Sequence, residues 1–174
     1  MSVQVGKNIE NFEADAYHPD GSIKKFKLSD YKGKWLVVFF YPLDFTFVCP
    51  TEIQGFSKDN KKFKDAGAEI VAVSTDSAYS HKAWAESSLG KVAFPIIGDT
   101  NHAVSRLFGV LIEERGIALR GTFIINPDGK VVSATINDLS VGRNVDETFR
   151  VLKGFQTGQL VGCNWQPGQP ALKA

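Results

Sequence analysis

Seven apolar residues run without interruption from Trp35 to Tyr41, and Pro42 follows at once. A run of that length, rich in aromatic and β-branched residues, is a strand buried on both faces. The pattern on either side of it supplies the cover. After Pro50 the segment TEIQGFSKDNKKFKDAG places Ile53, Phe56 and Phe63 on one face of a helix. Pro50 suits the first helical turn and Gly67 the C-terminal cap. Glu69–Asp76 is a second buried strand. A shorter helix follows from Ser80 past Trp84, then a third strand at Phe94–Ile97 and a helix near His102–Phe108. Thr122–Ile125 and Val131–Ile136, joined by Asn126-Pro127-Asp128-Gly129, form an antiparallel hairpin. A final helix runs from Asn144 to about Thr157, with Glu147 completing a capping box and Val145, Phe149, Leu152 and Phe155 as its buried stripe.

Before all of this, Pro19-Asp20-Gly21 turns Phe12–Tyr17 back onto Ile23–Leu28 as a hairpin. Strand–helix alternation followed by a hairpin and a helix predicts an α/β fold: a central mixed sheet flanked by helices, with an N-terminal hairpin. The stretch from Gln159 onward, rich in Gly, Gln and Pro, reads as an extended C-terminal tail. The chain thus divides into one domain over residues 1–158 and a tail over 159–174.

A chain of 174 residues with 43% apolar and 22% charged residues can bury a full core. Its formal net charge of +1 makes no electrostatic case for nucleic acid or an anionic membrane surface. No apolar run approaches the roughly 20 residues of a membrane span. The N-terminus lacks the basic and apolar regions of a secretory signal, which favours the cytoplasm. Two cysteines, Cys49 and Cys163, are too few for a secreted disulfide scaffold. In a reducing compartment they are either inert core or chemistry. No Cys-x-x-Cys or His-x-x-x-His spacing offers a metal site, and no Gly-rich phosphate motif offers a nucleotide site, so no cofactor is expected.

Cys49 falls where the central strand has ended and a helix begins. There the positive end of the helix dipole and unpaired backbone N–H groups favour thiolate, the nucleophilic form. The alternative is a small apolar residue packed under the helix. Thr46, three residues upstream, could place its hydroxyl beside the sulfur, or merely bond its own loop. A thiolate attacking a peroxide O–O bond needs hydrogen-bond donors as charge moves to the leaving oxygen.

The segment FYPLDFTFVCPTE, Phe40 to Glu52, resembles the peroxidatic signature of the peroxiredoxins, in particular the typical two-cysteine group that includes alkyl hydroperoxide reductase C. Pro42, Thr46 and Cys49 stand at the spacing of the family core Pro-x-x-x-Thr-x-x-Cys. Val73–Trp84, Phe94–Asp99, Arg120–Val131 and Val141–Glu147 resemble further family blocks in order. Gly162–Trp165 falls where the family has its resolving cysteine, and the resemblance covers nearly the whole chain.

The resemblance implies a thioredoxin-like fold and a thiol peroxidase acting on hydrogen peroxide or alkyl hydroperoxides. Cys49 would be the peroxidatic nucleophile and Cys163 the resolving thiol, bridged between two chains of a homodimer. Pro42 would shield the sulfur, Thr46 would hydrogen-bond the peroxide, and Arg120 would hold the thiolate. Glu52 and Arg143 would orient Arg120. Read without the resemblance, Arg120 could be a solvated charge, Glu52 a dipole-favoured first-turn acid and Arg143 a residue that merely precedes a helix. Thioredoxin or a dedicated flavin-dependent disulfide reductase would regenerate the enzyme, and dimers would assemble into a ring, a decamer. Phe45, Phe47 and Tyr79 belong either to such an interface or, for the two phenylalanines, to the core.

Two departures from the family stand out. Asn164 replaces the usual proline, and the chain stops 11 residues after Cys163, without the C-terminal helix and Tyr-Phe pair of easily over-oxidised members. Faster resolution and relative resistance to over-oxidation are the expectation. A thioredoxin-like reductase fits less well, because Cys49 has no second cysteine two residues beyond. A holdase chaperone remains as a reading from a different class.

Overall fold

A computed structural model describes residues 3–173. A seven-stranded sheet forms its centre. In chain order the strands are β1 (Glu13–Tyr17), β2 (Ile23–Lys27), β3 (Trp35–Phe40), β4 (Ala68–Ser74), β5 (Ile96–Gly98), β8 (Arg120–Ile125) and β9 (Val131–Asn137). In space they lie β2-β1-β5-β4-β3-β8-β9. The central strands β5, β4 and β3 run parallel, and antiparallel hairpins close both ends. The mixed α/β architecture and the N-terminal hairpin are as the sequence predicts.

β3 is buried on both faces because its side chains alternate between two cores. Val37 and Phe39, with Tyr41 just beyond, point into one layer with Ile53, Phe56 and Phe63 of α1 (Cys49–Asp65) and Leu152 of α4 (Val145–Gln156). Leu36, Val38 and Phe40 point into the other, with Phe26, Phe123 and, from α3 (Ala103–Leu107) and its C-terminal end, Val104 and Phe108. Phe39 stacks on Phe56 with ring centroids 4.4 Å apart, which fixes α1 against the strand.

Several boundaries differ from the sequence reading, each for a local reason. β5 starts at Ile96 rather than Phe94: Pro95 has no N–H to give a ladder, and only its carbonyl accepts, from Ala72. α2 (Ala78–Trp84) starts two residues earlier than Ser80, because Ser77 Oγ accepts the Ser80 N–H as its cap. A π-helical turn, Ala85–Leu89, extends it. A small hairpin of β6 (Leu111–Ile112) and β7 (Ile117–Ala118) went unread, since two-residue strands leave no period. Half of the expected capping box forms at α4. Asn144 Oδ1 accepts the Glu147 N–H, but the Glu147 carboxylate turns to Arg150 instead. Phe155 is not part of the buried stripe; it is 43% exposed, and Thr148 is buried in the preceding turns.

Candidate active site

β3 ends at Phe40, and the loop Tyr41–Val48 carries the chain over the sheet edge to α1, whose first residue is Cys49. The side chain of Cys49 is fully buried. One helical turn later Glu52 points the same way, as i and i+3 residues do. β8 runs antiparallel to β3, with Thr122 opposite Phe39. That register places Arg120, the first residue of β8, beside the end of β3. The expected group therefore assembles from three separate segments.

Arg120 Nη1 lies 3.5 Å from Cys49 Sγ and 2.7 Å from Glu52 Oε2, and Nε donates to the Leu139 carbonyl at 2.7 Å. Arg143 grips the same carboxylate as a fork, Nε to Oε1 at 2.8 Å and Nη2 to Oε2 at 3.1 Å, and its backbone N–H adds a third bond. Its remaining donors reach the Phe40 and Gly121 carbonyls. Both guanidiniums and the carboxylate are withdrawn from solvent. Burial pulls the Arg143 guanidinium below its ordinary range, and Glu52 opposes that pull. Two buried cations thus share one buried anion. This leaves one net positive charge beside the sulfur, and the adjacent helix N-terminus adds to it. The readings of Arg120 as a solvated charge and of Arg143 as a bystander do not hold.

Pro42 is buried within the loop, and Thr46 is half-buried on it. Thr46 Oγ1 donates to the Leu43 carbonyl at 2.9 Å, so the hydroxyl bonds its own loop and keeps its lone pairs for an incoming donor. Cys163 is exposed, and neither cysteine is in a disulfide. Phe45, Phe47 and Tyr79 stand out in solvent, Phe47 at 95% exposure. Phe45 also adopts φ +55°, unusual for a bulky side chain.

One cluster went unread. Asp44 is buried and accepts from Tyr41 Oη at 2.7 Å and Ser80 Oγ at 2.7 Å, and its Oδ2 lies 2.8 Å from His81 Nδ1. His81 Nε2 faces the Ile97 carbonyl at 3.1 Å, and the Asp44 N–H donates to Asp76. Burial, reinforced by the Asp44 charge, holds the Tyr41 phenol far above its usual range, so it stays a donor. In the sequence, Asp44 is a carboxylate inside an apolar run, and His81 lies in the block Val73–Trp84 that resembles the family. This network ties the loop to α2 and so holds Pro42 and Thr46 relative to Cys49. Asp44→Ala strips two buried groups, Tyr41 and His81, and the half-buried Ser80 of their acceptor. At about 1–3 kcal/mol for each buried orphaned group, it should cost at least about 2 kcal/mol. A thermal midpoint within 3 °C of the parent would show the loop to be held otherwise.

The AhpC/TSA family model matches residues 5–134, most of the chain. The chain is a peroxiredoxin of the AhpC/TSA family. Across 99% of its length this peroxiredoxin is 49% identical to peroxiredoxin TSA1 of Saccharomyces cerevisiae, matching 92% of that protein. It is 48% identical to a thioredoxin peroxidase of Trypanosoma brucei rhodesiense, over 94% of this chain and 87% of that one. The reduced 2-Cys peroxiredoxin of Plasmodium vivax superposes with a TM-score of 0.94 at 33% identity, over 97% and 92% of the two chains. Enterococcus faecalis AhpC superposes with a TM-score of 0.86 at 40% identity, over 90% and 94%. The fold is thioredoxin-like, and the peroxiredoxin is an oxidoreductase that reduces peroxides with a thiol. None of its described helices is long and apolar enough to cross a membrane.

Proposed function

We propose that Cys49 and Cys163 run a two-cysteine peroxidase cycle across a pair of subunits. The observation that carries this reading is the buried Cys49 sulfur at a helix N-terminus, within reach of an Arg120 that Glu52 and Arg143 hold in place. The Cys49 thiolate attacks one oxygen of hydrogen peroxide or an alkyl hydroperoxide. An S–O bond forms, the O–O bond breaks, and the leaving oxygen takes a proton to become water or an alcohol. Arg120 steadies the charge as it moves, Thr46 accepts from the peroxide O–H, and Pro42 keeps water off the sulfur. The Cys163 thiolate then attacks the Cys49 sulfenic acid. An S–S bond forms, the S–O bond breaks, and the departing hydroxide takes a proton and leaves as water.

Bridged cysteines need Cα atoms within about 7 Å. A buried Cys49 in a helical turn and an exposed Cys163 meet only if the first turn of α1 opens. A turn that opens readily exposes the Cys49 sulfenic acid to Cys163, and rapid resolution with resistance to over-oxidation goes with that opening. Residues 1–158 act as the peroxidase body, and 159–174 deliver Cys163. Beyond Val131, which bonds the backbone of Gly6 and Lys7, the edge strand β9 has Ile136 exposed and offers a second copy a place to pair. Exposed Phe45, Phe47 and Tyr79 suit a further contact that joins dimers into a ring, a decamer. The disulfide is then reduced by a protein dithiol in the cytoplasm. Thioredoxin is favoured by the names of relatives, and a flavin-dependent disulfide reductase would serve the same chemistry.

One equivalent of hydrogen peroxide added to the reduced protein should give a non-reducing gel band at twice 19.1 kDa, absent in Cys163→Ser. In the same samples Cys49 should show no gain of about 32 Da, the mass of two oxygens. A band at monomer mass with both thiols consumed would mean an intrachain bridge. Ready dioxygen gain would overturn the resistance.

A further inference from the structure

Among the described residues the tail after α4 has no helix or strand, yet it is held at definite points. Leu172 N–H donates to the Leu160 carbonyl at 2.8 Å, closing residues 160–172 into a loop. Inside that loop Trp165 is only 6% exposed, although it follows an exposed Cys163 by two positions. Its indole N–H donates to the Gln169 carbonyl at 3.0 Å, and its ring lies over Gly154 of α4, where a Cβ would meet it at 3.9 Å.

The Trp165 N–H bonds the Gly162 carbonyl at 3.2 Å, and Asn164 has φ +57°. Gly162 to Trp165 is therefore a tight β-turn with Cys163 and Asn164 at its centre. A positive φ at the third position is where asparagine substitutes for glycine. Asn164, in place of the family's proline, is what this turn requires, since proline cannot take a positive φ. Cys163 is displayed at the tip.

What holds the turn against the body is Arg150 on α4. Its Nη1 donates to the Trp165 carbonyl at 3.1 Å. Its other nitrogens form a fork on the Glu147 carboxylate at 2.6 and 2.7 Å, so the guanidinium cannot swing away freely. Glu147 is itself anchored at the capped start of α4. The hydrogen bonds to Glu147, and then its charge, raise the Arg150 guanidinium above its ordinary range.

We propose that Arg150 is a positioning residue for Cys163: by holding the Trp165 carbonyl it fixes the Gly162–Trp165 turn in the orientation from which the thiol attacks. The proposal rests on the reading of Cys163 as the resolving cysteine. Arg150 touches neither peroxide nor Cys49, so it should govern the second step of the cycle alone. An unanchored turn spreads Cys163 over many orientations and lowers the fraction of encounters that form the disulfide.

The test separates the two steps in the full-length protein. Sulfenic acid on Cys49 is followed with a trapping reagent, and disulfide by quenched non-reducing gels. In Arg150→Met, Cys49 should oxidise at the parent's rate, which also shows that the body is folded. Disulfide formation should slow about tenfold or more, the scale of misplacing a reacting group. Arg150→Lys keeps one donor for the Trp165 carbonyl and should recover most of that loss. A parent rate of disulfide formation in Arg150→Met, or a lysine variant as slow as the methionine one, overturns the proposal while leaving the resolving role of Cys163 intact. A parent protein that forms no disulfide removes the resolving role and the proposal with it.

Discussion

Cys49→Ser should lose peroxide consumption by about 10⁴-fold or more, the scale of removing a covalent nucleophile. A serine hydroxyl at this position is a far weaker nucleophile than a thiolate, and the Glu52 carboxylate one turn away is held by two guanidiniums rather than free to take its proton. Arg120, the group 3.5 Å away, is a cation and offers no such help. The fold should be undisturbed, because the exchange removes no contact beyond the larger sulfur. Cys163→Ser should behave differently, with Cys49 oxidising once and the reaction stopping without a disulfide. Peroxide consumption with excess dithiol protein, compared across the two variants, checks both. Suppression of client aggregation that persisted in Cys49→Ser would reveal a separate holdase activity. Peroxide turnover that persisted there would remove Cys49 from the mechanism.

Glu52→Gln should reduce both stability and activity. The carboxylate is the shared counter-charge of two buried guanidiniums, at 2.7 Å from Arg120 and 2.8 Å from Arg143. A neutral amide leaves two buried cations facing each other, and its NH₂ group cannot accept. Removing one partner of a buried ion pair costs about 3–5 kcal/mol. At about 2–4 °C per kcal/mol for a chain of this size, the thermal midpoint should fall by roughly 10 °C. Arg120 then loses the bond that aims it at the sulfur. The rate of Cys49 oxidation should drop by about 10²-fold, comparable to losing one preorganised donor. Calorimetry and single-turnover kinetics read the two effects separately. A variant with the parent's midpoint but a slow reaction would mean that Glu52 serves the chemistry without supporting the fold.

The layers of the fold were legible because each rests on a short-range rule. The run Trp35–Tyr41 could only be a doubly covered strand, which the structure ends one residue sooner at Phe40, Asn126–Gly129 could only be a turn, and Pro50 with Gly67 bracketed α1. The site was legible in part. Cys49 at a helix start follows from local order, and Pro42, Thr46 and Glu52 share its segment. Arg120 and Arg143 came from the resemblance of their surroundings, because a lone arginine before a strand or helix has no local signature.

What remained hidden depends on pairings that no stretch of sequence contains. Asp44, Tyr41, Ser80 and His81 meet only because the loop after β3 lies against α2. Arg150 reaches the Trp165 carbonyl only because the tail folds back along α4. The spacing predicts Phe155 as core, and the structure leaves it exposed. Helical periodicity reports which residues share a face, whereas the length of face that is covered depends on what packs there. From its sequence alone this protein has its strand–helix order, its two cores and a cysteine at a helix N-terminus, all set by periods and turn chemistry within a few residues. Tertiary structure decided which charges are buried together around that cysteine and how the second thiol is displayed, because burial and long-range hydrogen bonds exist only once distant segments are packed.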